Sequence, residues 1–326
     1  MVDEARTALV TGGTGFVGSH VVDVLLEAGY RVRCTVRKSS RLRWLEGKPV
    51  ELVELDLVEG DASDAVADVS AVFHFAGLTR GSGRELNAAN YEATRALVAA
   101  CASAARERRF VFCSSQAAAG PSLQGERRRE EDPPLPTTDY GRSKLAAERA
   151  VLEAEGVEPV VLRPAAVYGP RDEDTLPYFK MAAHGVIVIP GIRERVVQIV
   201  HARDVAQAAL AAVESPGAAG GTFFVAHPDA LTWRELAQAI ARAVGRRVLP
   251  VRVPSPVLRA VGGLASALGA ARRPGQLDLR RARDLSELDW TCSVERAQEV
   301  LGWSPEYGAE PGLRDTADWY RSQGWL

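Results

Sequence analysis

The 326-residue chain has almost no excess charge of either sign: 40 lysine and arginine residues face 42 aspartate and glutamate residues, for a formal net charge of −2. Such an even balance gives no electrostatic basis for binding nucleic acid or an anionic membrane surface. The chain also lacks any apolar run near the ~20 residues that a bilayer-spanning helix needs, and no secretory signal is recognisable. We therefore expect no nucleic-acid partner, no membrane span and a cytoplasmic location.

Cysteine is scarce as well, with four residues in the chain and no spacing typical of a metal site. Scattered cysteines in a cytosolic protein are expected to be reduced, buried thiols, so we predict no bound metal. The dense basic cluster at 127–129 is followed at once by three acidic residues at 130–132. We interpret that segment as a solvated loop.

What the chain does have is a regular alternation of short apolar runs and segments with helical periodicity. Strands that alternate with helices pair in parallel through right-handed crossovers, which predicts an α/β fold with a doubly wound parallel sheet. The expected strands lie at 7–10, 31–36, 50–55, 71–75, 110–113, 159–162 and 222–225, and long helices are expected at 84–105 and 140–155.

The pattern loosens after Arg163, where short apolar runs are bounded by glycine. We expect the sheet domain to comprise residues 1–165 and about 196–226. The remaining segments, about 166–195 and 227–326, are expected to form a smaller C-terminal lobe that shapes a substrate pocket.

The first apolar run leads into Thr-Gly-Gly-Thr-Gly-Phe-Val-Gly at Thr11–Gly18, and helical periodicity begins at Phe16. The glycines therefore lie on a strand-to-helix turn, which is the context that a dinucleotide-binding motif requires. Gly12 permits the tight turn, Gly15 lets the backbone approach a diphosphate, and Gly18 lets the helix contact the strand. Free N–H groups at the helix N-terminus then face the diphosphate. This turn predicts binding of a dinucleotide cofactor.

Tyr140 and Lys144 are spaced i, i+4 near the start of a predicted helix, so their side chains share one face. Because a nearby ammonium favours the phenolate, the pair can move a proton near neutral pH while a hydride moves to or from carbon. Ser115, at the end of the fifth predicted strand, can bond the same substrate oxygen. Taken singly, these features also fit a solvated helix pair and a serine in a strand-end turn.

Together, these motifs resemble those of the extended short-chain dehydrogenase/reductase family, which includes nucleotide-sugar epimerases and dehydratases. The resemblance covers almost the whole chain and implies a Rossmann-type fold. The matching residues are Gly12, Thr14, Gly15, Phe16, Val17 and Gly18 of the glycine motif, then Asp56, Leu57, Phe75, Ala76, Gly77, Asn90, Ser115, Tyr140, Lys144, Arg163, Pro164 and Val167, and finally the tail segment 301–305.

The resemblance implies a catalytic set. Tyr140 is the expected general acid/base, and Lys144 holds the nicotinamide ribose and lowers the pKa of Tyr140. Ser115 orients and polarises the carbonyl or alcohol, and Asn90 steadies the active site. The family also often forms homodimers through the two long helices, so we expect a homodimer.

The same resemblance implies the cofactor contacts. The pair Asp56–Leu57 is expected to contact the adenine, and Phe75–Gly77 belongs to the segment that passes under the cofactor. Pro164 and Val167 belong to the segment near the nicotinamide.

Cofactor choice depends on the residues at the end of the second strand. A carboxylate there would bond the ribose hydroxyls of NAD, but the segment reads Arg37-Lys38-Ser39-Ser40-Arg41. The planar guanidinium of Arg37 suits a phosphate, and Lys38 and Arg41 add positive charge. We therefore predict NADP in preference to NAD, the alternative being an exposed basic loop.

The substrate region departs from the pattern of nucleotide-sugar enzymes. Ser115 is followed by Gln-Ala where sugar dehydratases have Asp-Glu, and Ala166 and Val197 replace an asparagine and an arginine that such enzymes tend to place near the nucleotide diphosphate. The apolar segments at 186–189 and 257–268 suit a hydrophobic ketone, aldehyde or alcohol. These features are more similar to the dihydroflavonol-reductase and 3β-hydroxysteroid-dehydrogenase branch.

The leading hypothesis is an NADP-dependent carbonyl reductase or alcohol dehydrogenase for a hydrophobic small molecule. The second is a nucleotide-sugar epimerase that oxidises and re-reduces its substrate with a tightly held NAD(P). The third is a non-catalytic NADP sensor, against which the intact Ser115, Tyr140 and Lys144 argue.

Two histidine positions have alternative interpretations. His201 and Asp204 are compatible with a metal or catalytic pair, but we favour a structural role in which Asp204 caps a helix. His74 lies in an apolar strand and is expected to be a hydrogen-bonded core residue.

Overall fold

A computed structural model describes residues 6–104, 108–122, 125–257, 260 and 288–326. Its strands, numbered in chain order, are β1 (Thr7–Thr11), β2 (Arg31–Val36), β3 (Val50–Glu54), β4 (Ala71–His74), β5 (Arg109–Cys113), β6 (Glu158–Pro164), β7 (Ala166–Tyr168), β8 (Val186–Pro190), β9 (Val196–Val197), β10 (Ile199–His201), β11 (Thr222–Val225), β12 (Leu231–Thr232) and β13 (Leu249–Val253).

The helices that we number are α1 (Phe16–Glu27), α2 (Ser63–Val66), α3 (Gly83–Leu86), α4 (Ala93–Ala102), α5 (Gln116–Ala119), α6 (Asp139–Leu152), α7 (Leu176–Ala183), α8 (Ala202–Glu214), α9 (Trp233–Val244), α10 (Glu295–Leu301) and α11 (Ala309–Ser322). Among the described residues, none of these helices is both long and apolar enough to cross a bilayer.

Seven strands form one sheet in the order β11-β6-β5-β4-β1-β2-β3. Every neighbouring pair is parallel, which confirms the predicted doubly wound α/β fold. Alternate residues of each strand point to opposite faces of the sheet, and helices cover both faces. In β1, Ala8 and Val10 face a core shared with α1 and α8, whereas Leu9 faces a second core shared with α4 and α6. The turn after β1 therefore opens at the carboxyl edge of the sheet, where ligands bind in such folds.

The chain leaves the large sheet after β6 and returns to it with α8 and β11. In between and afterwards it forms three two-stranded sheets, which pair β7 with β10, β9 with β12 and β8 with β13. Helices α7, α9 and α11 pack with β8 around a separate apolar cluster that includes Phe179, Ile187, Ile240 and Tyr320. We call these four elements and β13 the lobe. Most of the apolar segment predicted at 257–268 lies outside the described residues.

The helix predicted across 84–105 is present as a continuous helical segment over residues 83–102, but it is not α-helical throughout. The structure has the short helix α3, a π-helical segment at Asn87–Glu92 and then α4. A π-helical turn adds a residue to the turn and is common at functional sites. Here the Asn90 carbonyl accepts a hydrogen bond of 2.6 Å from the Thr94 hydroxyl. The local apolar pattern does not show this change, because it depends on contacts that Asn90 makes elsewhere in the fold.

The basic cluster at 127–129 is not simply a solvated loop, since Arg128 is only 1% exposed. Its guanidinium donates to the carbonyl oxygens of Ala119, at 2.5 Å, and Pro133, at 2.7 Å. The backbone of Arg128 also bridges to Cys292. Local carbonyl groups therefore bind the buried guanidinium, while a distant segment pairs with the backbone of this arginine. The four cysteines are free, and all but Cys113 are buried.

His201 and Asp204 do have structural roles, but Asp204 does not cap α8. His201 is the N-cap residue, and its Nδ1 accepts from the Arg203 N–H at 3.4 Å. The buried Asp204 carboxylate instead accepts from the N–H groups of Glu306, at 2.8 Å, and Tyr307, at 3.2 Å. It therefore holds the C-terminal segment against the sheet.

His74 is a hydrogen-bonded core residue, as predicted. Its Nδ1 lies 2.6 Å from the Thr11 hydroxyl and its Nε2 lies 2.8 Å from the Thr94 hydroxyl. Burial lowers the pKa of His74 to about 3, so the ring is neutral at physiological pH.

Candidate active site

A cavity of about 820 Å³ opens at the carboxyl edge of the sheet and extends toward the lobe. Most of the residues predicted for the site line it, from both the glycine turn and the catalytic set. They are Gly12, Thr14, Gly15, Phe16, Val17, Gly18, Phe75, Gly77, Asn90, Ser115, Tyr140, Lys144, Pro164 and Val167.

Five predicted cofactor residues lie outside the cavity lining. Arg37 and Lys38 follow β2 and are exposed, and Lys38 lies 3.5 Å from Glu54. After β3, Asp56 turns its carboxylate onto the N–H of Val58, while Leu57 is half-buried. The fifth residue is Ala76, which follows β4. The roles of these residues remain predictions.

The glycine turn has the shape that a dinucleotide needs. Gly12 has φ 75°, and a Cβ there would lie 2.6 Å from the Ala76 nitrogen. A Cβ on Gly18 would lie 2.2 Å from the Gly12 carbonyl oxygen, so only glycine lets α1 approach the turn this closely. Gly15 is the N-cap of α1, and no side chain caps that helix. The first N–H groups of α1 are therefore available to a phosphate.

Helix α6 carries Tyr140 and Lys144, and Thr138 caps its N-terminus by accepting from the Gly141 N–H at 3.1 Å. A Cβ on Gly141 would lie 2.3 Å from the carbonyl oxygen of Ala117. Glycine thus lets the first turn of α6 contact the start of α5. This contact brings Tyr140 to the same part of the cavity as Ser115, whose Oγ accepts from the Ala117 N–H at 3.1 Å.

Lys144 is almost fully buried, at 4% exposure. Its Nζ lies 4.4 Å from the centre of the Phe112 ring and borders Gly77. Burial lowers the pKa of the Lys144 ammonium, and Cys113 and Glu148 partly oppose that shift. No side chain or carbonyl in the described part of the chain accepts a hydrogen bond from Nζ. A buried cation directed into a cavity in this way fits the ribose hydroxyls of a nicotinamide cofactor.

Asn90 connects two sides of the site. Its Oδ1 accepts from the Leu78 N–H at 2.7 Å, and its Nδ2 donates to the Leu78 carbonyl at 2.8 Å and to Ser143 Oγ at 2.9 Å. Ser143 Oγ in turn donates to the Tyr140 carbonyl at 2.8 Å. Asn90 therefore fixes the loop after β4 relative to the helix that carries Tyr140.

The lobe side of the cavity is mainly apolar and aromatic. Its lining includes Tyr178, Val188, Val197, Trp233, Leu236, Ile240, Trp290 and Leu313. Three arginines also line the cavity, and each is paired: Arg43 with Glu173 at 2.5 Å, Arg80 with Asp174 at 2.9 Å and Arg171 with Asp23 at 2.6 Å.

Residues 170–175, which we call the strap, supply several of these partners and border the cavity. The strap is attached to α1 at its beginning. Arg171 donates to Ser19 Oγ at 3.0 Å and to Asp23, and His20 Nε2 lies 2.9 Å from the Pro170 carbonyl oxygen. Burial and the nearby Arg171 lower the pKa of His20 to about 4, so His20 is neutral and donates from Nε2.

Asp172 holds the strap together from within. It accepts from the N–H groups of Asp174, at 2.8 Å, and Thr175, at 3.2 Å, and from the Thr175 hydroxyl at 2.5 Å. Its carbonyl accepts from the Tyr320 hydroxyl of α11 at 2.6 Å. Burial raises the pKa of Asp172 to about 6, although these hydrogen bonds oppose the shift.

Comparison with known families shows which family the chain belongs to. The model of the NAD dependent epimerase/dehydratase family matches residues 8–226. The chain belongs to that family.

Curated members of the family resemble the whole chain. The ceramide reductase of Caulobacter vibrioides is 33% identical over 330 residues, which cover 100% of this chain and 98% of the relative. A 3β-hydroxysteroid dehydrogenase/Δ5→4-isomerase of Mycobacterium tuberculosis is 27% identical over 349 residues, covering 99% and 92%. A putative dihydroflavonol 4-reductase of Synechocystis is 27% identical over 340 residues, covering 97% and 95%. The family and these relatives show an NAD(P)-dependent enzyme of the oxidoreductase type.

The fold also matches family members of known structure. The UDP-glucose 4-epimerase of Thermotoga maritima, solved with UDP-glucose, superposes with a TM-score of 0.78 at 25% identity, covering 98% of this chain and 99% of that one. The Rossmann-type fold and the resemblance to the extended short-chain family are therefore confirmed.

The sequence motifs do not identify the buried Glu148–Arg163 ion pair, which lies next to Lys144 in the fold. Glu148 lies one turn further along α6 and is 1% exposed. Its carboxylate accepts from Arg163 Nε at 2.9 Å and Nη2 at 2.7 Å, and from the Ser114 hydroxyl. A charged residue four positions after Lys144, on the face that α6 buries, is the signal that could have identified it.

Proposed function

We propose that the protein is an NADP-dependent carbonyl reductase or alcohol dehydrogenase acting on a hydrophobic ketone, aldehyde or alcohol. The observation that carries this proposal is the composition of the cavity, in which Ser115, Tyr140 and Lys144 meet an apolar and aromatic lobe surface. The relatives named ceramide reductase and 3β-hydroxysteroid dehydrogenase support the same substrate class.

In this proposal, Tyr140 gives a proton to the carbonyl oxygen when a ketone is reduced and takes one when an alcohol is oxidised. Ser115 donates a hydrogen bond to the same oxygen and orients it. Lys144 binds the ribose and stabilises the phenolate of Tyr140. When bound, the nicotinamide cofactor supplies or accepts the hydride. Asn90 fixes the position of the loop after β4 relative to helix α6.

The cavity offers little for a nucleotide diphosphate on the substrate side. Val197 lines it at a position where an arginine would serve a diphosphate, and Arg80 is already neutralised by Asp174. Other arginines that could fold back are engaged elsewhere: Arg195 lies 3.4 Å from Asp289, and Arg252 pairs with Glu194. Neither these two nor Arg193 lines the cavity, and Arg272 lies outside the described residues. Burying a diphosphate without cationic partners is strongly unfavourable.

This substrate class leads to a direct test by competition. We expect UDP not to bind the NADPH-loaded protein at millimolar concentration, whereas ketones of increasing chain length should bind progressively better. Each added methylene should contribute up to ~0.8 kcal/mol until the apolar surface is filled. Isothermal titration and NADPH oxidation with the same ketone series measure both effects. A micromolar dissociation constant for UDP would overturn the proposal.

The cofactor preference gives a second expected result. Arg37→Ala should weaken NADPH binding by ~1.5–3 kcal/mol, the scale of a charge-assisted hydrogen bond, and leave NADH binding nearly unchanged. Fluorescence titration of both cofactors measures this difference. Arg31→Ala removes an exposed arginine from the opposite end of β2 and is the matched control, because its position is far from the carboxyl edge. Equal affinity of the unmodified protein for the two cofactors would contradict NADP preference.

The alternative function is a nucleotide-sugar epimerase with tightly bound NAD(P), and the structural match to a UDP-glucose 4-epimerase is the observation in its favour. Cofactor that stays bound through purification, together with micromolar UDP binding, would support it. In either case we expect a cytoplasmic homodimer formed through α4 and α6.

A further inference from the structure

We propose that the strap, residues 170–175, is a latch that retains the bound cofactor, and that Glu173 and Asp174 are positioning residues that close it onto Arg43 and Arg80. The proposal depends only on the part of the cavity next to the glycine turn, where the cofactor would bind, and which we call the groove. It holds whether the substrate is an apolar ketone or a nucleotide sugar.

The sheet order determines where the strap runs. Arg43 belongs to the loop after β2, and Arg80 belongs to the loop after β4. Strand β1 lies between β2 and β4 in the sheet, so the glycine turn at its end lies between these two loops. A segment ion-paired to both loops must therefore cross above that turn. Strap residues and the glycine turn line the same cavity, so the space between them is where the diphosphate would lie.

The two ends of this crossing are attached differently. At the α1 end, the side chains of Arg171 and Asp23 are 17% and 21% exposed, and Asp23 also pairs with Lys48. Arg171 has φ 73° and is the one non-glycine residue with positive φ in the described part of the chain, so the backbone reverses sharply there. This end is the fixed one.

The carboxylates at the other two attachments are more exposed. The side chains of Arg43 and Glu173 are 39% and 41% exposed, and those of Arg80 and Asp174 are 13% and 31% exposed. An ion pair as close to solvent as Arg43–Glu173 contributes little and is screened by salt, and the Arg80–Asp174 pair, which is partly buried, is the stronger of the two. The cofactor can thus leave when these two pairs open and Glu173 and Asp174 move away from the glycine turn, while Asp172 stays bonded to Tyr320.

The rate of cofactor release tests the latch. In Glu173→Gln/Asp174→Asn, we expect the preferred reduced nicotinamide cofactor to dissociate roughly five- to thirtyfold faster, as loss of one exposed and one partly buried ion pair would give. Stopped-flow displacement by excess oxidised cofactor measures this rate through energy transfer from Trp44, which lines the groove. Simple electrostatics predicts the opposite, because removing two negative charges near a diphosphate strengthens its binding.

The matched control is Glu310→Gln/Asp318→Asn. It removes two carboxylates of exposed ion pairs that lie outside the cavity lining, and changes the net charge equally. We expect its release rate to be unchanged. Hydrogen exchange at the Asp174 and Thr175 amides of the unmodified protein should also slow when cofactor is bound. An unchanged or slower release from the strap variant, a control that accelerates equally, or a lower apo melting temperature with unaltered release would each overturn the proposal.

Discussion

Tyr140→Phe is expected to lower turnover by ~10²–10⁴-fold while leaving the affinity for the cofactor almost unchanged. The substitution removes only the hydroxyl, so it leaves the first turn of α6 and the contact between Gly141 and Ala117 unchanged. Proton transfer to the substrate oxygen then has no positioned donor. Steady-state kinetics with a hydrophobic ketone, together with NADPH titration, separates these two effects.

Two other variants show whether a loss of turnover is specific to the Tyr140 hydroxyl. Tyr30→Phe is the matched control, because the Tyr30 hydroxyl is buried with no hydrogen-bond partner among the described residues and lies outside the cavity lining. It should keep normal turnover. Lys144→Ala should weaken both cofactor binding and turnover, since the proposed role of Lys144 involves both the ribose and the tyrosine. Near-normal activity of Tyr140→Phe would show that the catalytic assignment is wrong.

Arg163→Met is expected to lower the free energy of unfolding by ~3–5 kcal/mol, the usual result of breaking a buried ion pair. Arg163 and Glu148 are 6% and 1% exposed, so removal of the guanidinium leaves a buried carboxylate whose one remaining hydrogen-bond donor among the described residues is the Ser114 hydroxyl. Urea unfolding followed by far-ultraviolet circular dichroism measures the change.

The comparison with an exposed pair makes this prediction specific. Arg242→Met removes one partner of Glu310, and both side chains there are about half exposed, so its effect should stay below ~1 kcal/mol. The double variant Arg163→Met/Glu148→Met should recover much of the lost stability, because apolar side chains can replace a buried pair. Equal effects of the two single variants would contradict the importance that we assign to burial.

The sequence predicts the strands of the large sheet to within one or two residues, because each is a short run rich in apolar and β-branched residues. The sequence also predicts that Tyr140 and Lys144 share one face of a helix, since this relation depends only on helical spacing. The glycine turn could be recognised because it immediately follows the first strand. In each case the information is local.

The errors concern contacts between distant segments. Arg128 resembles its neighbours in the basic cluster, and nothing nearby in the sequence shows that its backbone pairs with Cys292. The Arg43–Glu173 pair joins residues 130 positions apart. The π-helical segment at Asn87–Glu92 accompanies bonds from Asn90 to another loop. No local periodicity contains such information.

The position of β11 at the edge of the large sheet has a consequence for synthesis on the ribosome. Strand β6 ends at Pro164, but β11, which pairs with its outer edge, begins only at Thr222. Helix α8, which packs on one face of the sheet, is also synthesised after β6. At typical translation speeds, the intervening residues, about 60, take ~3–12 s to emerge. During that interval the nascent chain presents an unpaired apolar strand edge. Chaperone binding is therefore expected to be most needed between these two points of elongation.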